Sequence, residues 1–257
     1  KFMTEINYYY LINNTGISFY LAGINEIKKD KRRDLGYMIE APFVSLVNKQ
    51  KGTINIQISE ALSVKRPFNP KSYYKGTYNK IIKGIIATKT NSATGLSHEV
   101  GHYLGLKHPH ENYDKGKFKQ ESVSRTRTKR KFFRKTLNCE TNGDCLCDTP
   151  AEPRLSEHIS NNCEFTGINL TDNWGDYYTP LTNNIMSYPT YKKCREKFTT
   201  QQIAVMLYTA ENNKHSEAWK ADSLNEQNAQ YIFDMYEPDD YQEMATTIIK
   251  NEVQIHT

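Results

Sequence analysis

Apolar and polar positions along the chain first suggest short elements separated by irregular sequence. Residues 3–14 carry helical spacing that stops at Thr15-Gly16, and Ile17–Ile24 mixes β-branched and aromatic residues as strands do. Lys28–Arg33 is a charge run, read as a solvated turn. Thr53–Ser59 alternates apolar and polar positions and predicts a half-buried strand, Pro67 to Gly76 is turn-rich, and Ile81–Thr88 reads as a further strand. Within it Gly84 marks a bulge or a close backbone approach. Helical character returns from Thr94 to Leu104 and ends at Gly105. From His108 to about Ile185 periodicity nearly vanishes, which predicts a loop-dominated region needing ties to stay ordered. Thr199–Asn212 predicts a last helix, with Thr199 and Gln202 in a capping-box pattern and Ile203, Met206, Leu207 and Ala210 on one face. A Pro-containing acidic stretch after Asp234 reads as a linker entering a new strand.

Composition narrows the class. At 257 residues, 37% hydrophobic and 25% charged, with a mean hydropathy of −0.75, the chain can bury a sizeable core and is not of the disordered type. No apolar run approaches the roughly 20 residues of a membrane span. Lys1-Phe2-Met3 opens no signal-peptide pattern, so a leader is expected to have been removed or left out. The net charge of +5 is uneven: Lys115–Lys135 holds ten basic residues against Glu121 alone, a local +9 that leaves the remainder at −4. A basic surface throughout is thereby excluded, and a local basic loop remains to be explained. Five cysteines, at 139, 145, 147, 163 and 194, lie unevenly in loop-like sequence. They match no zinc-knuckle spacing and favour disulfides formed in an oxidising compartment, with one thiol left over.

The chemistry concentrates in His98-Glu99-Val100-Gly101-His102-Tyr103-Leu104-Gly105-Leu106-Lys107-His108. On a helix, His98 and His102 lie one turn apart on the same face, while Leu96, Val100, Tyr103 and Leu104 cluster opposite. Two imidazoles so placed can reach one Zn²⁺, and Glu99 is positioned to take a proton from an attacking water. Gly105 permits a sharp exit that brings His108 round as a third ligand and leaves a fourth position open, as catalysis requires. The shorter HExxH pattern arises by chance in on the order of one protein in a hundred, and the extended pattern roughly a thousandfold less often. His110, His158, His215 and His256, lacking such spacing, are expected at the surface.

This extended motif resembles that of the metzincin metallopeptidases, and Asn184-Ile185-Met186-Ser187-Tyr188 resembles their Met-turn. The order of Cys139, Gly143-Asp144, Cys147-Asp148-Thr149-Pro150-Ala151-Glu152-Pro153, Cys163, Cys194-Arg195 and Phe198-Thr199 is similar to that of the pappalysin, or cytophagalysin, family, especially its bacterial secreted members. The likeness covers roughly residues 5–210.

The resemblance implies an α+β fold. Its N-terminal subdomain would hold a twisted, mixed sheet and two long helices, above an irregular, disulfide-tied C-terminal subdomain. Residues 1–230 would form the peptidase domain, with the cleft after about residue 105, and 231–257 a linker and the start of a truncated accessory module. The strand around Gly84–Thr88 would be the antiparallel edge that pairs with extended substrate. His98, His102 and His108 would hold zinc, Glu99 would act as general base, and Tyr188 would stabilise the oxyanion, with Met186 beneath the histidines. Cys163 would pair with Cys194, and Cys139 with Cys147 or Cys145, Cys145 looking the odd one. Asp144 and Thr149 fall where family members hold calcium. Members that cleave before Arg or Lys carry an acidic residue just ahead of the cysteine after the Met-turn. Lys193 stands there, so an acidic or uncharged residue after the scissile bond is expected instead. The implied protein is a secreted endopeptidase acting on proteins or peptides, with a monomer expected.

Two other readings compete. A gluzincin would take Glu121 as third ligand, leaving Gly105, His108 and Met186 without a purpose. A polyanion-binding module would use the 115–135 stretch, with Phe132 and Phe133, to hold nucleic acid, an acidic glycan or an acidic surface. The same stretch also offers basic cleavage sites to an activating protease.

Overall fold

The computed structural model describes residues 2–26, 49–59, 62–66, 69–74, 76–116, 119–131 and 134–212. The expected turn at Lys28–Arg33, the residues after 212 and the proposed 231–257 module lie outside them. The described chain is α+β, with a small mixed sheet, three α-helices and two disulfides.

Helix α1 (Phe2–Ile12) buries Ile6 and Tyr10. The predicted strand after it does not form, because side-chain amides replace a sheet partner: Asn7 Nδ2 donates to the Phe19 carbonyl (2.8 Å) and Asn7 Oδ1 accepts the Phe19 N–H (2.8 Å). Both backbone groups are satisfied without a ladder.

Strand β1 (Ile56–Ser59) is the second half of the predicted Thr53–Ser59 segment. β2 (Leu62–Arg66) and β3 (Asn69–Tyr74) form a separate antiparallel hairpin where turn-rich sequence predicted none. β4 (Gly76–Asn79) and β5 (Gly84–Thr88) complete the main sheet in the order β1-β5-β4, with β1 parallel and β4 antiparallel to β5. The predicted strand from Ile81 therefore starts late. Asn79 Oδ1 accepts the N–H groups of Ile81 (2.9 Å) and Ile82 (3.2 Å), folding residues 80–83 into a turn and leaving Ile81 exposed. Gly84 does mark a close approach, since a Cβ there would lie 3.2 Å from the Asn55 carbonyl oxygen. β5 is fully buried and central, so the expected edge is displaced: β4, not Gly84–Thr88, borders the sheet on that side.

Helix α2 (Ala93–Tyr103) starts at Ser92, whose hydroxyl accepts the Gly95 N–H (3.1 Å). The core joins Ile6 and Tyr10 of α1, Ile85 and Ala87 of β5, and Leu96, Val100 and Tyr103 of α2 to Ile185, Met186, Phe198 and Met206. Helix α3 (Thr200–Asn212) supplies Met206, and the expected capping box is present: Thr199 Oγ1 accepts the Gln202 N–H (3.3 Å) and Gln202 Oε1 accepts the Thr199 N–H (3.0 Å). Of its predicted apolar face, Met206 is buried but Leu207 is 38% exposed.

Between these helices the chain is irregular, as expected, apart from a hairpin of β6 (Thr128–Lys131) and β7 (Arg134–Leu137) inside the basic segment. Disulfides Cys139–Cys147 and Cys163–Cys194 tie this region, and Cys145 is the free thiol. Asn13, on the turn after α1, fastens it to the N-terminal half by donating to the Glu196 carbonyl (2.9 Å) and accepting the Phe198 N–H (2.9 Å). No helix of the described residues is long and apolar enough to cross a membrane.

Gly101 explains how tightly the halves meet. A Cβ there would lie 2.6 Å from Sδ of the fully buried Met186. Gly101→Ala would gain up to about 1 kcal/mol of helix propensity but overpack the core by roughly 1–3 kcal/mol. Thermal unfolding of the metal-free protein should show net destabilisation, and a raised Tm would contradict this packing.

Candidate metal centre

The site begins with a local rule, that residues four apart on a helix share a face. His98 and His102 obey it on α2, with His98 only 1% exposed. Leu96, Val100, Tyr103 and Leu104 are buried, as the periodicity predicts. Gly105 then takes φ +94°, a conformation that favours glycine, and the Leu106 N–H returns to the Gly101 carbonyl (3.0 Å). A Cβ on Gly105 would also lie 2.8 Å from Thr209 Oγ1 on α3. The chain leaves the helix sharply and delivers His108.

The three Nε2 atoms converge: His98 to His102 is 3.1 Å, His102 to His108 is 2.9 Å and His98 to His108 is 3.2 Å. His98 Nδ1 lies 2.8 Å from the Ile185 carbonyl and His102 Nδ1 2.8 Å from the Leu106 carbonyl. A carbonyl only accepts, so both Nδ1 atoms carry the proton, and each neutral ring turns an Nε2 lone pair inward. Burial lowers the pKa of all three, His98 well below its ordinary value and His102 to about 4, which keeps the rings neutral. Converging lone pairs repel one another unless a cation lies between them. Nitrogens sharing one tetrahedral ion at about 2.0–2.1 Å are roughly 3.3 Å apart, close to the spacing here. The three residues form a group that could hold a metal ion, and the donor chemistry fits one.

Glu99 stands beside this group. Its Oε2 accepts the Tyr78 N–H from β4 at 2.6 Å, and desolvation by burial nevertheless pushes its carboxyl up to about 7. Gly76 lets β4 pass close to the start of α2, since a Cβ there would lie 2.7 Å from Asn91 Nδ2. The Tyr188 ring stacks on His98 (5.3 Å between centroids) and packs on His108 (4.4 Å), and burial raises its hydroxyl to about 12. Met186 lies under α2, its N–H held by Asn184 Oδ1 (2.8 Å), while Asn184 Nδ2 donates to Gln202 Oε1 (3.0 Å). Residues 184–188 are thus anchored to α3 by the glutamine of its capping box.

Other expectations are corrected. His110, expected at the surface, is buried, with Nδ1 3.2 Å from Glu152 Oε1 and its ring 4.9 Å from that of His108. The Ser187 hydroxyl donates to the other Glu152 oxygen, so this buried carboxyl, raised to about 8 by burial, links the segment after the third histidine to the turn carrying Met186. Glu121 does not join the histidines. It is buried in an ion pair with Arg125, against Gly143.

Asp144 and Thr149, the residues expected at a calcium site, have protein partners here. Asp144 accepts from the Leu146 N–H (3.0 Å) and Gln202 Nε2 (3.3 Å). The Thr149 hydroxyl bonds Thr199 Oγ1 (3.2 Å), and its carbonyl accepts from Arg125 Nη2 (2.9 Å). Arg127 is likewise engaged, pairing with Asp176 (3.3 Å) over the Trp174 ring (4.6 Å), so two cations of the basic segment serve internal contacts. Lys193 is exposed in a short 3₁₀ turn, whereas Arg195, which the sequence did not single out, is 5% exposed and lies over Tyr188.

No protein-family model matches the chain, and no curated protein matches it.

Metal titration of the purified protein should show one tight site per chain. His102→Ala should weaken it by on the order of 100-fold or more, measured by competition with a chelating dye. An unchanged affinity would place the metal elsewhere.

Proposed function

We propose that this chain is a secreted, zinc-dependent endopeptidase of the metzincin type, similar to the pappalysins. The observation that carries the reading is the set of three inward-facing imidazole nitrogens within 3.2 Å of one another, with a half-buried carboxylate on the neighbouring residue. His98, His102 and His108 would hold the ion, and a zinc there supplies Lewis acidity toward a peptide carbonyl and acidifies water.

The remaining chemistry belongs to the protein. Glu99 has one oxygen anchored on the Tyr78 N–H, which leaves the other to take the proton of the attacking water and pass it to the leaving amine. Tyr188 lies against two of the histidines, where its hydroxyl, kept protonated by its raised pKa, donates to the oxygen on which charge develops. β4 borders the sheet and carries the amide that Glu99 uses, so an extended peptide would add along β4 and pass the reacting groups.

Two disulfides among the described residues suit an oxidising, extracellular setting. The gluzincin alternative loses its ligand, because Glu121 is paired with Arg125.

Glu99→Gln should retain one equivalent of zinc and lose at least about 10³-fold in kcat/KM on a casein-derived peptide. Undiminished hydrolysis by that variant would overturn the assignment. Tyr188→Phe should lower kcat about 10- to 100-fold with KM little changed, as expected when one donor to a transition state is removed.

A further inference from the structure

Among the described residues Arg195 is a buried cation of this site that makes no ion pair. The preceding residue is fixed by the Cys163–Cys194 disulfide, and the Arg195 N–H bonds the Lys192 carbonyl (3.1 Å), so its backbone is held firmly. The side chain runs inward. Arg195 is 5% exposed, and its guanidinium carbon lies 5.6 Å from the centroid of the Tyr188 ring, the ring that packs on His98 and His108.

A buried guanidinium is costly unless oxygens surround it. Among the described residues Arg195 makes no ion pair, and its Nε is sealed from solvent with no hydrogen-bond acceptor. The carboxylates whose charge reaches it are committed elsewhere. Glu99 accepts from the Tyr78 N–H, and Glu152 accepts from Ser187 while facing His110. Arg125 supplies the contrast within the same chain, being partly buried with a carboxylate and a carbonyl on its fork. Lys193, two positions earlier, is exposed, where solvent and salt screen its charge.

We propose that Arg195 is a recognition site for a carboxylate on the peptide residue held beside the trihistidine group. The carboxylate is either an Asp or Glu side chain or the free C-terminus of a short substrate. The inference rests on the peptidase reading for the word substrate, but the carboxylate site itself does not require hydrolysis. Planar guanidinium donors match a carboxylate in two-point geometry, and they do so most strongly where water is excluded.

The test uses metal-free protein, so that no ion can hold the carboxylate. Four probes would be titrated by NMR: acetyl-aspartate amide, acetyl-asparagine amide, acetyl-glycine and acetyl-glycine amide. At least one acid should bind 5-fold or more tightly than its neutral counterpart and shift the Arg195 Nε–H resonance. Preference for the aspartate probe identifies a side-chain carboxylate, and preference for acetyl-glycine identifies the C-terminal one. The discrimination should vanish in Arg195→Gln and survive in Lys193→Gln.

Equal binding of acids and amides, an unmoved Arg195 resonance, or discrimination that persists in Arg195→Gln would overturn the proposal. The resonance shift is read in the unaltered chain and decides the matter even if Arg195→Gln does not fold. Peptide-library cleavage by the zinc-loaded protein reports separately. Selective binding without cleavage would sink the peptidase reading and leave the carboxylate site standing, whereas cleavage with no preference for acidic residues or free C-termini would overturn the Arg195 assignment.

Discussion

Three neutral imidazoles with their lone pairs aimed at one point form an arrangement that resists itself, and much of the described structure serves to hold it. Two backbone carbonyls, of Ile185 and Leu106, accept the outer N–H of His98 and His102 and set which nitrogen faces inward. One carbonyl comes from the exit of the same helix and the other from a turn 87 positions later. The orientation of His98 therefore depends on the packing of the two halves of the chain. Gly101 is the physical seam, allowing Met186 to lie where any β-carbon would intrude.

With so little regular structure, polar side chains carry much of the framework. Asn7 replaces a sheet partner for Phe19, Asn13 joins the end of the first helix to residues 196–198, and Gln202 completes a helix cap while holding Asn184. Each is an amide that carries both an N–H donor group and a carbonyl acceptor, the two kinds of group that a neighbouring strand would present. Buried backbone groups in loops must find such partners, and the disulfides limit how far the loops can move while they do so. The basic segment contributes to this framework too. Arg125 and Arg127 turn inward to pair, so its formal +9 overstates the charge offered to solvent.

Burial also decides the electrostatics. Desolvation raises Glu99 and Glu152 and depresses the histidines, leaving a site of mostly neutral groups in which Arg195 retains a charge. A surface cation such as Lys193 contributes little to a field in the cleft, because water surrounds it. Two positions along, the same sign of charge is held over the Tyr188 ring and has no such screen.

Features governed by local periodicity were legible in the amino-acid sequence alone. Helical spacing places His98, Glu99 and His102, glycine at 105 predicts the sharp exit to His108, and Thr199 with Gln202 announces the last helix, because each depends on residues within a few positions of one another. Tertiary structure decided what depends on distant segments. β4 rather than β5 borders the sheet, since strand order follows from which segment packs beside which. His110 is buried because Glu152, 42 residues on, supplies its partner. Glu121 faces Arg125 and not the histidines. Arg195 is buried with its guanidinium over the Tyr188 ring, a placement that depends on tertiary packing. Periodicity reports the face a residue occupies on its own element, whereas burial and pairing are set by the other elements that arrive there.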